Sequence, residues 1–203
     1  MRGSMFTGGK TNNYDREKHD YYATPPYKAH EFLRMFDISK YNKILEPSCG
    51  EGHLSEVLKK YAPNSIIISR DLINRGYGEV KDFLKDKDDN KYDLIITNPP
   101  FKKALSFIKR GLELSDTVVI LAKIQLLEGE KRNKELQYLG LKEIYGYVSR
   151  CNCWRNGKPI NPKTGKEWSG AMFLAWYVFE KGYKGKPEYN WIFSSSDLKQ
   201  VRK

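Results

Sequence analysis

Lys43-Ile44-Leu45-Glu46-Pro47-Ser48-Cys49-Gly50-Glu51-Gly52, followed at helical spacing by Leu54, Val57, Leu58 and Tyr61 and then by Ser65-Ile66-Ile67-Ile68-Ser69 with Asp71 just beyond, decides the fold. Strand, glycine loop, amphipathic helix, buried strand and acid make one βαβ unit. The glycines let the backbone turn sharply and come close to a ligand at the strand end. Gly50-x-Gly52-x-x-Ser55 nearly completes a dinucleotide fingerprint, so a nicotinamide enzyme is one reading. Two acids speak against it. Glu46 ends the first strand, where a pyrophosphate would be repelled and a cation attracted. A ligand with a sulfonium and an ammonium and no phosphate, S-adenosyl-L-methionine, suits that charge, directly or through water. Asp71, at the end of the second strand, is placed to accept from both hydroxyls of a ribose.

Outward toward the C-terminus, Tyr92-Asp93-Leu94-Ile95-Ile96-Thr97-Asn98-Pro99-Pro100-Phe101 sets an apolar strand before a prolyl turn. Pro99 and Pro100 have no backbone N–H and a fixed φ, so the strand stops in a stiff bend with carbonyls turned into a cleft. Asn98 adds a side-chain carbonyl and Phe101 a flat apolar face. Two convergent acceptors beside a ring suit a planar group bearing an NH2, such as the exocyclic amine of a nucleobase. The plainer alternative is that the prolines end a buried strand and Phe101 is core.

The remaining chain fills out an α/β pattern. Thr24-Pro25-Pro26 has the form of a capped helix start, with Ala29, Phe32, Leu33 and Phe36 on one face. About twenty residues separate Asp71 from Tyr92, too few for a full crossover, so Val80 to Leu84 is expected as a stub of strand. Leu105, Ile108 and Leu112 mark a helix, Thr117 to Ala122 a strand, residues 130 to 139 a helix, and Glu143 to Val148 and Met172 to Glu180 two more strands. The expected architecture is a three-layer, Rossmann-like sheet, mostly parallel with an antiparallel last strand.

With 203 residues the chain supports one core, burying roughly 70% of its unfolded surface. Met1 to Ser4 reads as an expression leader and residues 1 to 23 as a flexible arm; one domain is expected over 24 to 193, with a tail from 194 to 203. Thirty-six basic against 25 acidic residues give +11, a balance that favours a polyanionic partner. No run is long and apolar enough to enter a membrane, and the expected location is cytoplasmic. Cys49, Cys151 and Cys153 lack the spacing of a zinc site and read as reduced thiols; no metal is expected. Residues 149 to 170 form a long basic loop. Its Arg150, Trp154, Arg155, Lys158, Lys163, Lys166 and Trp168 are the expected nucleic-acid contacts, the tryptophans as stacking platforms. The basic turn Lys181 to Pro187 is a possible extension of the same surface. His19 and His30 are read as solvated, and His53 as local packing.

Glu46-Pro47-Ser48-Cys49-Gly50-Glu51-Gly52 together with Asn98-Pro99-Pro100-Phe101 resembles the paired signatures of S-adenosylmethionine-dependent N6-adenine DNA methyltransferases. Tyr22-Ala23-Thr24-Pro25-Pro26 resembles their extra cofactor segment, placed ahead of the glycine loop as in the small, phage-type members. The resemblance implies that Tyr22, Thr24 and Pro25 hold the methionine part and Glu46, Pro47, Ser48, Gly50 and Gly52 wall the cofactor. It also implies that Asp71 takes the ribose, that Asp82 and Phe83 line the adenine, and that Asn98, Pro99, Pro100 and Phe101 carry catalysis. The chain has no room for the large target-recognition domain of the bigger members. An RNA adenine methyltransferase, a protein glutamine methyltransferase and an inactive nucleic-acid-binding module of the same fold remain alternatives.

Overall fold

The computed structural model describes residues 21–169 and 172–194. The expected leader, most of the N-terminal arm with His19, Gly170 and nearly all of the C-terminal tail lie outside the described residues.

The principal sheet has eight strands: β2 (Lys43–Glu46), β3 (Ile66–Asp71), β4 (Glu79–Val80), β5 (Leu94–Thr97), β6 (Thr117–Lys123), β7 (Leu141–Tyr147), β9 (Leu174–Glu180) and β10 (Glu188–Ile192). Their spatial order is β10-β7-β9-β6-β5-β2-β3-β4. Every neighbouring pair is parallel except those that β9 makes with β6 and β7. A second, two-residue ladder joins β1 (Tyr22–Ala23) to β8 (Trp154–Arg155), pairing Tyr22 with Arg155 and Ala23 with Trp154.

The parallel strands are apolar on both faces, as strands covered by helices on both sides must be. On one face Ile44, Ile96, Val119, Trp176 and Val178 pack against α1 (Pro26–Leu33) and α2 (His53–Tyr61). On the other, Leu45, Ile95, Val118, Ile120 and Tyr177 meet α3 (Ala104–Leu114) and α4 (Glu130–Tyr138). Successive residues thus feed opposite layers, and the three-layer α/β expectation holds. Phe32 stacks on the fully buried Trp176 with ring centres 4.6 Å apart. The Trp176 indole N–H donates to the Tyr147 hydroxyl, which donates to the Lys28 carbonyl, so the polar ends of these core aromatics are satisfied.

Four details differ from the sequence reading. The antiparallel strand β9 is not the last: β10 follows and returns parallel to β7 at the sheet edge. Its sequence, Glu188-Tyr189-Asn190-Trp191-Ile192, buries only Ile192 fully and so lacks an apolar signature. Thr24 does not cap α1; Pro25 occupies the cap position, and α1 ends at Leu33 with Phe36 buried beyond it. The expected stub is only Glu79–Val80, because the Asp82 carboxylate accepts from the Leu84 N–H and turns the chain. Strand β7 begins two residues earlier than expected, and β9 two later. No described helix is long and apolar enough to cross a membrane.

Candidate active site

The chain runs from β2 out to β3 on one side and comes back to β5 on the other, so the strand order reverses between β2 and β5. Open α/β sheets bind ligands at the carboxyl ends of strands beside such a reversal. A cavity of about 420 Å³ lies there, lined among others by Tyr22, Thr24, Glu46, Pro47, Ser48, Asp71, Asp82, Phe83, Asn98, Pro99, Pro100 and Phe101. Motifs seventy residues apart in the chain therefore share one cleft.

The glycine loop is shaped by its neighbours. Gly50 and Gly52 have φ of +57° and +84°, which side chains with a Cβ rarely adopt. A Cβ on Gly50 would run into the Tyr21 ring, and one on Gly52 would lie 2.5 Å from the ring of Tyr77. Tyr21 also accepts from the Glu51 N–H through its hydroxyl, at 3.0 Å, and carries the Arg75 guanidinium 4.1 Å from its ring centre. Burial pushes that phenol up to about 12. Asp71 ties the loop down, one oxygen accepting from the Gly50 N–H at 2.8 Å and the other from the Ile73 N–H at 2.9 Å. Each carboxylate oxygen has a second acceptor site for a hydroxyl.

Glu46 is 2% exposed and accepts a hydrogen bond from Ser55, whose hydroxyl also pairs with that of Ser69 at 2.6 Å. Burial raises the Glu46 carboxyl to about 8; the Ser55 hydrogen bond opposes the rise and the charge of Asp71 adds to it. Burial and the same two acids push the Cys49 thiol up to about 12, so it stays protonated. The reading of Glu46 as a standing negative charge is thereby modified. It is a buried acid that is largely protonated at neutral pH unless a cation lies beside it.

Ser48 does not point at a ligand by default. Its hydroxyl pairs with that of Thr97 at 2.5 Å and donates to the Asn98 carbonyl at 3.1 Å, locking the glycine loop to the prolyl turn. The Asn98 amide nitrogen donates to the Tyr22 carbonyl at 2.7 Å and to the Thr24 hydroxyl at 3.1 Å. With its nitrogen so engaged, Asn98 keeps its amide oxygen as the acceptor. Thr24 thus orients Asn98 instead of starting a helix, and Tyr22 gives its carbonyl to the same task.

Phe101 opens a short 3-10 turn, Phe101–Lys103. Its ring stacks on Tyr22, with centres 5.9 Å apart and planes 29° apart, and the Lys123 ammonium stands 4.8 Å from the ring centre. A planar ligand on Phe101 therefore meets neighbours already in place. Asp82 and Phe83 line the same cavity; Phe83 is buried against Phe107, with ring centres 5.1 Å apart.

The basic loop is more ordered at its root than expected. Trp154 lies in β8 and meets His53 edge-on, ring centres 5.3 Å apart. The Trp168 indole donates to the Lys158 carbonyl at 2.6 Å. Both tryptophans are half-buried, not presented as open platforms. Lys158, Lys163 and Lys166 are exposed, the last two on a tip closed by the Asn161–Lys166 backbone hydrogen bond. Arg150 and Arg155 both make contacts of their own, and Arg155 pairs with Tyr22 across the small ladder. His53 packs against Trp154 but also lines the cavity, its buried Nδ1 without a hydrogen-bond partner among the described residues, which the reading as local packing did not foresee. Tyr77 and Lys123 escaped the sequence reading because each acts through a contact between distant segments; the bonds Ser55 makes to Glu46 and Ser69, and Tyr21 makes to Glu51, also went unread.

No protein-family model matches the chain, and no curated protein matches it. Solved structures do. The type I restriction-modification system methyltransferase subunit from Streptococcus thermophilus superposes with a TM-score of 0.65 at 12% identity, over 92% of this chain and 53% of that one. The M protein of the type I restriction enzyme EcoKI gives 0.55 at 13% identity, over 79% and 44%. TrmN from Thermus thermophilus gives 0.50 at 17%, over 77% and 48%. The chain spans about half the length of each. The likeness is one of fold alone: a Rossmann-like, mostly parallel sheet.

Proposed function

We propose that this chain is an S-adenosylmethionine-dependent methyltransferase acting on the N6 amine of adenine in DNA. The observation that carries the reading is Asn98. Its nitrogen is held by Tyr22 and Thr24, and its oxygen is left to accept in the cavity that also holds the glycine loop and Asp71. The fold neighbours that are restriction-modification methyltransferase subunits support the reaction class.

The residues present fit the cofactor. Glu46 is a buried acid with no basic partner among the described residues, a site that a cation would satisfy and a phosphate would not. Asp71 is suited to a ribose. Tyr22, Thr24, Glu46, Pro47, Ser48, Asp71, Asp82 and Phe83 line the cavity and would hold the cofactor; Pro25, Gly50 and Gly52 do not line the cavity, the glycines being covered by the rings of Tyr21 and Tyr77, and would shape its wall from behind. When bound, S-adenosylmethionine supplies an electrophilic methyl group.

The chain's own task is to make a poor nucleophile competent. The lone pair of an adenine amine is delocalised into the ring. The Asn98 amide oxygen and the Pro99 carbonyl each accept one of its protons, drawing the nitrogen toward tetrahedral geometry and freeing the lone pair. Acceptors matched to that geometry favour the transition state over the flat ground state. The prolines fix the acceptors in advance, so little reorganisation is needed. Phe101 offers a stacking face once the base has left the duplex, at a cost of roughly a few kcal/mol. The basic loop, through Arg150, Arg155, Lys158, Lys163, Lys166 and the tryptophans Trp154 and Trp168, would meet the phosphate backbone.

The test is to offer duplex DNA, single-stranded DNA and RNA with methyl-labelled cofactor and to identify the labelled nucleoside. N6-methyladenine in DNA is the expected product. Label confined to RNA would reassign the polymer, and cofactor binding without transfer to any polymer would replace the enzyme with a binding module.

A further inference from the structure

Resting on that reading, we infer that Lys102 and Lys103 form a phosphate clasp for the nucleotide whose base enters the cavity. Both line the same cavity as Asn98. Lys102 and Lys103 follow Phe101 directly, in a turn closed by the hydrogen bond from the Lys103 N–H to the Pro100 carbonyl at 2.7 Å. Their backbone is therefore fixed within one turn of the amine acceptors, while both side chains are exposed.

The acids Glu46 and Asp71 stand at the ends of β2 and β3, with Lys81, bonded through its N–H to the Asp71 carbonyl, near them; Lys102 and Lys103 stand between β5 and α3, and Lys123 sits over Phe101 at the same end. Further along α3 the basic residues are paired: Lys109 with Glu135 at 2.5 Å and Arg110 with Glu113 at 2.6 Å. Lys102 and Lys103 have no carboxylate partner among the described residues. A base seated with its amine at Asn98 carries its sugar and flanking phosphates out through this mouth, where unpaired ammonium groups lower their energy. A protein amide would bring no such charge. The sequence reading placed the polymer contacts on the loop of residues 149 to 170, extended by the turn from Lys181 to Pro187; the clasp adds a contact at the cavity itself.

The test uses the full chain and a fluorescent, adenine-containing single-stranded oligonucleotide, with dissociation constants read by anisotropy over a range of salt. Lys102→Gln/Lys103→Gln should lower the slope of log affinity against log salt by about 1.4, and weaken binding roughly 25-fold at 0.1 M salt, converging on the parent near 1 M. The charge-matched pair Lys60→Gln/Lys131→Gln, on α2 and α4, should leave the slope unchanged. An equal slope in the lysine variant and the parent overturns the inference, as does an equal loss in the charge-matched pair. Weaker S-adenosylmethionine binding in the lysine variant with an unchanged salt slope also overturns it, by giving these lysines to the cofactor. Because binding is measured without turnover, a chain that transfers no methyl group would sink the functional reading and leave this result standing.

Discussion

Replacing Glu46 with glutamine makes the sharpest test of the cofactor site. The carboxyl is 2% exposed and is pushed up to about 8 chiefly by burial, so at pH 7 it is about one-tenth ionised in the free protein. A cation bound beside it requires the ionised form. Affinity for S-adenosylmethionine should then rise roughly tenfold per pH unit below 8, about 50-fold between pH 6 and 8, and level off above 9. Binding at pH 7 should release close to one proton from Glu46. Calorimetric titrations across that range, in buffers of different ionisation enthalpy, measure both quantities. Glu46→Gln keeps the shape of the group and can still accept from Ser55, so it should bind more weakly above pH 8 and lose this component of the pH dependence. Stability carries the same signature. A folded-state value raised above the unfolded one contributes stability that is complete below about 4.5 and is lost as the pH climbs through about 8. The melting temperature of the free parent should fall over that interval more than that of Glu46→Gln. Identical binding profiles in parent and variant would refute the reasoning.

Asn98→Ala should lower turnover roughly 10²- to 10³-fold, by analogy with losing one preorganised polar partner, while calorimetry finds cofactor affinity nearly intact. Lys163→Gln/Lys166→Gln, at the exposed loop tip, should flatten the salt dependence of DNA affinity by about one to two units; an unchanged slope would remove the tip from the contact. Gly52→Ala puts a Cβ 2.5 Å from the Tyr77 ring at a φ of +84°, and chemical denaturation should find it destabilised by about 1–3 kcal/mol.

The βαβ unit from Lys43 to Asp71 was legible because its information is local. Consecutive apolar strand residues, helical spacing and paired glycines all lie within thirty positions, and the structure keeps them as β2, α2 and β3. The prolyl turn was legible for the same reason, since two prolines restrict their own backbone whatever surrounds them. Strand β10 was not, because an edge strand with mostly exposed residues carries no burial pattern. Nor was the ladder of β1 with β8, two residues on each side and more than 130 positions apart. Thr24 ahead of two prolines satisfies the local rule for a helix cap, yet its hydroxyl goes to Asn98, a partner 74 positions away. Glu46 does end its strand, as its position in the sequence suggests, but its protonation depends on how deeply the fold buries it.

The ladder between β1 and β8 makes one short segment answer to two masters. Tyr22 gives its carbonyl to Asn98 and pairs across the ladder with Arg155, at the root of the basic loop. On the proposed reading, a nucleic-acid strand on the loop and a cofactor at Tyr22 would both bear on this ladder of two residue pairs. By thermodynamic reciprocity, whatever advantage the first ligand gives the second is given back in equal measure.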